Sequence, residues 1–183
     1  MEMIYKSARL EKQALSEREL ALINKQSLRE LNADEVFAFR LAACDNQVDR
    51  DNERFTENTL EQLAKMYIGK TVLLDHVWSA KSQTARIYNA YVSGEGDVKR
   101  LILCCYTVRT ESMADTISAI EGGILRECSV GCTVEHVLCS ICGADQRTTL
   151  CQHRGGHEYD GKICHFDLVD ACEAYEVSLV AVP

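Results

Sequence analysis

The chain has 183 residues, of which 46% are hydrophobic and 26% are charged, and this composition is typical of one globular domain with a buried core. Two large domains and wholesale disorder are excluded. The 20 Lys and Arg residues and 28 Asp and Glu residues give a net charge of −8. Because affinity for a phosphate backbone depends on a broad positive field, we expect no nucleic acid among the partners.

No apolar stretch reaches the roughly 18–20 residues that cross a bilayer, and no secretion signal is visible at the N-terminus. We therefore expect no membrane partner. The chain contains ten cysteines. Without an export signal, cysteines are expected to be reduced thiols and metal ligands rather than a disulfide framework. These features predict a cytosolic protein.

Residues 1–34 are predicted to form an N-terminal helical segment ahead of the main domain, which spans residues 35–183. Over residues 6–30, apolar side chains recur at helical spacing among Lys, Glu and Arg, which predicts an amphipathic helix. The pattern leaves open whether this helix covers the domain or projects toward a partner.

The rest of the chain is predicted to contain many short strands and few helices. A strand at 36–43 and a loop at 45–53 precede a helix at 56–68, with Thr56 or Thr59 as its N-cap. A second helix is predicted at 110–122. Alternating patterns predict further strands at 71–76, 83–92, 99–108, 125–134 and 174–182. This order predicts an α+β fold, in which helices flank a mostly antiparallel β-barrel.

Residues 135–165 interrupt this pattern, because they are poor in apolar side chains and hold four cysteines and four of the five histidines. We interpret them as an insertion between two core strands. The spacing Cys139-Ser-Ile-Cys142-Gly is typical of a knuckle that gives two thiolates to a tetrahedral metal ion. Cys151 and His153 form the nearest second pair of ligands, and Cys164 is the alternative fourth ligand.

The metal predicted at this site is a structural Zn²⁺. Four protein ligands leave no open position for a reacting water molecule. A short segment with so few apolar residues has little other means of becoming ordered, so metal binding would be coupled to its folding. The alternative interpretation is a polar loop with unligated thiols.

A second, sparser set of polar residues comprises His76 after a predicted strand, Ser129 in a predicted strand and Glu176 in the terminal strand. A serine nucleophile needs a base within hydrogen-bond reach and a third group that fixes the base's tautomer. Each residue also has an ordinary structural interpretation, and spacing alone does not decide. Alternation does place Glu176 and Ser178 on one face of the terminal strand and turns Cys128 away from Ser129.

Five features in this order resemble the prohead protease family of tailed bacteriophages, which are serine peptidases similar to the herpesvirus assemblins. They are DRDNERF (49–55), LAKMYIGKTVLLDH (63–76), a helix ending in Gly122-Gly123, ECSVG (127–131) and YEVSLVAVP (175–183). The resemblance covers residues 36–183. The insertion CSICGADQRTTLCQHRGGHEYDG (139–161) is similar to the zinc-binding insert of a subset of phage head proteases.

The resemblance implies that Ser129 is the nucleophile, that His76 is the general base and that Glu176 orients the imidazole. Because the assemblins use a second histidine in the third position, alternatives to Glu176 remain there: His165, Asp167 and Asp170. The oxyanion-hole donors that the chemistry requires are not assigned. Family members usually continue past the terminal strand into a further tail, whereas this chain ends at Pro183, which is compatible with a processed or truncated form.

The function implied is that of a serine endopeptidase that cleaves the major capsid protein and the scaffold protein during head assembly. Its location would be the cytoplasm of the bacterial host, inside the assembling prohead. Since assemblins dimerise, a second copy of the chain is a further expected partner. The alternative is a non-enzymatic zinc-bearing scaffold or adaptor of the same assembly. A nucleic-acid-binding zinc module is disfavoured, because acidic and basic side chains are equally numerous in residues 139–165.

Overall fold

The computed structural model describes residues 11–12 and 15–182. The N-terminal helix predicted over residues 6–30 is wrong in extent within this part. A two-residue strand β1 (Glu11–Lys12) precedes helix α1 (Glu17–Asn24). Ser16 starts the helix with a capping box, in which its side chain accepts from the N–H of Glu19 and the Glu19 carboxylate accepts from the N–H of Ser16. Residues 1–10, 13–14 and Pro183 lie outside the described residues.

The remaining strands and α-helices include all the predicted ones in order, with corrected ends, and three short strands that the pattern did not predict. They are β2 (Val36–Asp45), β3 (Glu53–Phe55), α2 (Glu57–Tyr67), β4 (Thr71–Leu74), β5 (Ala85–Ser93), β6 (Arg100–Val108), α3 (Ala114–Glu121), β7 (Glu127–Cys139), β8 (Glu158–Tyr159), β9 (Lys162–Ile163) and β10 (Phe166–Val180). The side chain of Thr56 caps α2 by accepting from the N–H of Thr59. Among the described residues, no helix combines the length and hydrophobicity that a membrane crossing requires.

Within the described residues, eight strands form one mixed sheet that curls into a half-barrel, and the predicted α+β class is confirmed. The order is β1-β2-β6-β5-β4-β10, and β7 pairs along the other edge of β10. Most pairs are antiparallel, but β10 pairs in parallel with both β3 and β4. Residue alternation gives the faces of a strand and not the direction of its neighbour, so these parallel pairs were not visible in the sequence.

β7 and β10 are longer than predicted, with 13 and 15 residues, and pair as an antiparallel ladder. Residues 135–139 therefore belong to β7, and the insertion predicted at 135–165 starts only after Cys139. The ladder carries bulges between Ala171 and Glu173 and between Ala174 and Glu176. A bulge shifts alternation by one residue, which hides a strand from a pattern of period two.

Two apolar clusters cover the two faces of the sheet. In the main core, α2 and α3 pack against one face, and Leu60, Leu63 and Tyr67 of α2 are fully buried there with Val177 of β10. On the other face, α1 buries Ile23 against a smaller group from β2, β5 and β6, namely Val36, Ala38, Tyr88, Cys104 and Tyr106. Because Val177 and Leu179 of β10 point into the main core, Glu176 and Ser178 point to the opposite face.

Candidate functional site

His76 lies in a tight turn directly after β4. Asp75 and His76 have φ angles of 51° and 54°, in the left-handed region that costs L-residues on the order of 1 kcal/mol each. The turn is held by the backbone, since the N–H of Asp75 donates to the carbonyl of Leu179 at 3.1 Å and the N–H of Val77 donates to that of Leu74 at 3.0 Å. These bonds fix His76 beside β10.

The imidazole of His76 pairs with the carboxylate of Glu176. Nδ1 of His76 lies 2.7 Å from Oε1 of Glu176. The Glu176 side chain is only 3% exposed, whereas the His76 side chain is 41% exposed. A buried carboxylate therefore holds one nitrogen of a half-exposed imidazole, and Nε2 is the nitrogen that remains for proton transfer.

Ser178 ties this pair to the sheet. Its hydroxyl donates to Oε2 of Glu176 at 2.5 Å and accepts from the backbone N–H of His76 at 3.0 Å. The residue is fully buried. One hydroxyl therefore orients both the carboxylate and the turn that carries the imidazole. Strand alternation places Ser178 on the face of Glu176 but gives it no role, and this shared face is the only signal for it in the sequence.

Gly131 makes room for the Glu176 carboxylate. It lies opposite Glu176 in the β7–β10 ladder, and a Cβ at this position would overlap Oε1 of Glu176. The hydroxyl of Tyr67 donates to the carbonyl of Gly131 at 3.1 Å. Burial raises the pKa of Tyr67, so its hydroxyl remains a donor. Neither residue was assigned this role from the sequence, because both act through register and packing.

Ser129 lies on β7 directly opposite Ser178, and paired residues of antiparallel strands share a face. The predicted nucleophile is therefore half-buried on the same face as Glu176. Among the described residues, however, no hydrogen bond links Ser129 to His76, the predicted base. Its neighbour Cys128 points into the main core, and burial raises the pKa of that thiol to about 12. A cysteine nucleophile is disfavoured at Cys128.

The alternative third residues lie at the other end of β10. Asp167 pairs with Nε of Arg54 at 2.5 Å, and Nε2 of His165 lies 3.5 Å from the same carboxylate oxygen. Asp170 accepts from the side chain of Gln62 at 3.3 Å. Asp170 and Glu176 are six positions apart on the strand, which is at most roughly 20 Å. Of the four candidates, Glu176 is the one that contacts His76.

The four predicted metal ligands lie together at the end of β7. Their ligand atoms are all within 4.8 Å of one another, and the four residues could bind a metal ion: Cys139, Cys142, Cys151 and His153. Nδ1 of His153 lies 3.7 Å from Sγ of Cys139. The knuckle closes where the N–H of Gly143, at a φ of 74°, donates to the carbonyl of Cys139 at 2.8 Å. Three thiols and one imidazole are a donor set that suits a tetrahedral ion.

Cys164, the alternative fourth ligand, lies beside this group and is fully buried. Its Sγ is 3.9 Å from Sγ of Cys139. Burial raises the pKa of Cys164 to about 11. For Cys139, burial also raises the pKa, but hydrogen bonds from the backbone N–H groups of Cys142 and Ile141 outweigh it, and the pKa is lowered. The group of four close ligand atoms contains His153, and Cys164 packs beside it against Cys139.

An ion pair anchors the insertion to β7. Nδ1 of His136 lies 2.8 Å from Oδ2 of Asp145, and Asp145 also accepts from the backbone N–H groups of Val137 and Arg147. The hydrogen bond with His136 and those from the backbone lower the pKa of Asp145 to about 2, and the bond with Asp145 raises the pKa of His136. The loop that follows the knuckle is thereby held against the strand.

Comparison with known proteins identifies no relative of this chain. No protein-family model matches it, and neither a curated protein nor a solved structure does. Two clusters of side chains therefore indicate the function: the His76–Glu176 pair on the sheet and the Cys/His group at the start of the insertion.

Proposed function

We propose that the chain is a serine endopeptidase in which Ser129 is the nucleophile, His76 the general base and Glu176 the residue that orients the base. The observation that carries this proposal is the 2.7 Å contact between Nδ1 of His76 and the buried carboxylate of Glu176. A base with one nitrogen held by a carboxylate and the other open to a reactant is what serine catalysis requires.

The position of Ser129 supports its assignment as the nucleophile. It shares the face of Glu176 and lies one strand from it, or about 4.8 Å between backbones. His76 follows β4, on the other side of β10. From there the imidazole of His76 reaches back over β10 to Glu176, on the face that Ser129 shares. The hydrogen bond between a nucleophile and its base is often long before substrate binds and tightens in the complex.

The reaction would follow from these positions. Oγ of Ser129 attacks the scissile carbonyl carbon while its proton passes to Nε2 of His76, and Glu176 stabilises the imidazolium. The tetrahedral intermediate collapses as His76 returns the proton to the leaving amine, which leaves an ester on Ser129. His76 then takes a proton from water, the hydroxide attacks the ester, and the proton returns to Ser129 as the acid product leaves.

The substrate assignment comes from the resemblance to the prohead proteases. We propose that the enzyme cleaves the major capsid protein and the scaffold protein inside an assembling phage head, in the cytoplasm of the host, and that it acts as a homodimer. The order of the five resembling features supports the same family.

We propose that the metal bound by Cys139, Cys142, Cys151 and His153 is a structural Zn²⁺. Thiolate and imidazole ligands in a group of four are the set that zinc prefers, and a closed set leaves no site for a reacting water. When bound, the ion would supply the folding free energy that the apolar-poor insertion lacks. The side chains of the insertion would then be ordered without any part in the peptidase chemistry.

Co-expression with candidate capsid and scaffold proteins tests the proposed function. Mass measurement of the products should show cleavage with the wild-type chain and none with Ser129→Ala. Ser93→Ala, at an exposed position at the end of β5, is the matched control and should cleave normally. Cleavage by Ser129→Ala would overturn the nucleophile assignment. An uncut substrate in a stable complex with the wild-type chain would favour the scaffold or adaptor function.

A further inference from the structure

A groove of about 470 Å³ lies beside Glu176, next to the turn that carries His76. Its wall includes two aromatic rings, those of Trp78 and Tyr175, whose centroids are 5.7 Å apart. Two cationic side chains, Lys70 and Arg86, also line it. The groove therefore combines aromatic surface with positive charge, although the chain as a whole is acidic.

The register of the sheet makes this groove continuous with the candidate active site. Arg86 of β5 pairs with Thr71 of β4, and Thr71 pairs with Glu176 of β10. Glu176 in turn pairs with Gly131 of β7, so these four residues form one line of cross-strand partners. Cross-strand partners share a face, so Arg86 lies on the face that carries Glu176 and Ser129. A peptide that crosses the strands over Ser129 would pass over the groove.

The positive charge of the groove is not neutralised by any exposed carboxylate among the described residues that line it. Arg86 is held in place, since it donates from Nη1 to the carbonyl of Gly69 at 2.9 Å and from Nη2 to the side chain of Gln83 at 3.0 Å. These bonds use two of its five donors and leave the rest for a ligand. Among the residues that line the groove, the one carboxylate is that of Glu176, which is 3% exposed and already shared between His76 and Ser178.

We propose that this groove binds an acidic side chain of an extended peptide substrate, with its carboxylate at Arg86 and Lys70 and its methylene groups against Trp78 and Tyr175. Its place relative to the scissile bond depends on the proposed endopeptidase function. Three strand spacings separate Ser129 on β7 from Arg86 on β5, or about 14 Å. At about 3.3 Å per extended residue, the acidic residue lies roughly four residues from the scissile bond.

Peptide binding to the full-length Ser129→Ala variant tests this site without requiring cleavage. Trp78 is the only tryptophan of the chain and is 72% exposed, so its emission reports directly on the groove. The probes are capped eight-residue Ala/Ser peptides that differ at one position, which carries Glu, Gln or Lys. The Glu peptide should shift the emission to the blue and bind about fivefold more tightly than the Gln peptide, the upper end for an exposed ion pair. Added salt should remove the difference.

Substitutions in the groove show which side chains supply the preference. Arg86→Gln and Lys70→Gln should each reduce the preference for Glu over Gln, and Arg86→Glu should reverse it toward the Lys peptide. Arg100→Gln, which removes an exposed arginine at the far end of the neighbouring strand β6, is the matched control and should keep the preference. Equal affinity for the Glu and Gln peptides, or tightest binding of the Lys peptide, would overturn the inference.

Failure of this inference is distinguishable from failure of the proposed function. If the wild-type chain cleaves its substrates at sites with no acidic residue roughly four positions away, the endopeptidase stands and the acidic subsite is wrong. If Ser129→Ala binds the Glu peptide selectively while the wild-type chain cleaves neither capsid nor scaffold protein, the acidic site stands and the peptidase assignment is wrong.

Discussion

The Cys/His group of the insertion and the His76–Glu176 pair on the sheet differ in how they are assembled. Cys139 and His153 are 14 residues apart in the chain, whereas His76 and Glu176 are 100 residues apart. The first cluster lies in a segment poor in buried apolar side chains. The second lies on a sheet whose opposite face contacts the main core.

This difference teaches how each cluster is stabilised. Closing a short loop costs little chain entropy, so a bound ion suffices to hold ligands that are near each other in sequence. A pair 100 residues apart forms only when the strands that carry it are already in register. Loss of the metal should therefore disorder the insertion and spare the sheet, and changes at or beside Glu176 should impair cleavage and leave the metal-bound insertion intact.

The largest effect is expected from Glu176→Gln. Without the charge that orients the imidazole and stabilises the imidazolium, the cleavage rate should fall on the order of 10³–10⁴-fold, while the fold and the bound metal are retained. Single-turnover cleavage of the capsid substrate measures this. Glu173→Gln, at an exposed carboxylate on the same strand, should cleave normally. Near-normal cleavage by Glu176→Gln would leave Glu176 as a structural charge.

Cys139→Ser should abolish metal binding by the Cys/His group of the insertion. We expect about one zinc per wild-type chain and loss of the metal in the variant, because one of four ligands is removed. Limited proteolysis should then cut within residues 140–165, while the core strands stay protected. Cys164→Ala is the control and should keep its zinc. If Cys164→Ala loses the metal and His153→Ala retains it, Cys164 is the fourth ligand.

Gly131→Ala tests how rigidly the sheet holds Glu176. The added methyl group would overlap Oε1 of the carboxylate and displace it from His76. We expect cleavage to slow by about 10–100-fold and the free energy of unfolding to fall by about 1–3 kcal/mol, as in other overpacked sites. Chemical denaturation and cleavage assays measure the two effects. An unchanged rate would show that the carboxylate need not be fixed by its neighbours.

The smallest effect concerns the pH dependence of the insertion. The lowered pKa of Asp145 adds stability above its unfolded value of 3.8, which is lost as pH falls through about 2. The raised pKa of His136 adds stability below 6.5, which is lost as pH rises through that raised value. The pair therefore contributes fully between about pH 4 and 6.5.

His136→Gln should accordingly destabilise the insertion more at pH 6 than at pH 8.5. Comparing the two proteins at each pH cancels the dependence of zinc binding on pH. The rate of proteolysis within residues 140–165 is the measurement. A difference between wild type and variant that is equal at both pH values would mean that the ion pair does not anchor this segment.

Much of the fold was predictable from alternation and turn residues. The strands from β4 to β6 and the helix capped by Thr56 lie where the pattern predicts them. The N-terminal helix was wrong in extent, because helical spacing of apolar residues does not show that a capping box starts the helix at Ser16. The bulges of β10 hid that strand's first half. The insertion was started too early because residues 135–139, which end β7, were grouped by composition with the Cys- and His-rich segment.

The two clusters were predictable to different degrees. The Cys139-x-x-Cys142 spacing indicated a metal site directly, and the structure brings all four predicted ligands together. His76, Ser129 and Glu176 were proposed through a resemblance, since spacing does not show which distant residues meet. Ser178 and Gly131 were assigned no role. The hydrogen bonds of Ser178 and the space that Gly131 leaves for Glu176 exist only once the strands have paired.

The sequence by itself determined what depends on neighbours in the chain: the class of fold, the faces of the strands and the Cys139-x-x-Cys142 knuckle of a candidate metal site. Only the tertiary structure decided that Glu176, and not His165, Asp167 or Asp170, contacts His76. It also decided that Arg86 shares a face with the site. The physical reason is that strand register, set by packing across the whole sheet, determines which residues from distant parts of the chain lie side by side.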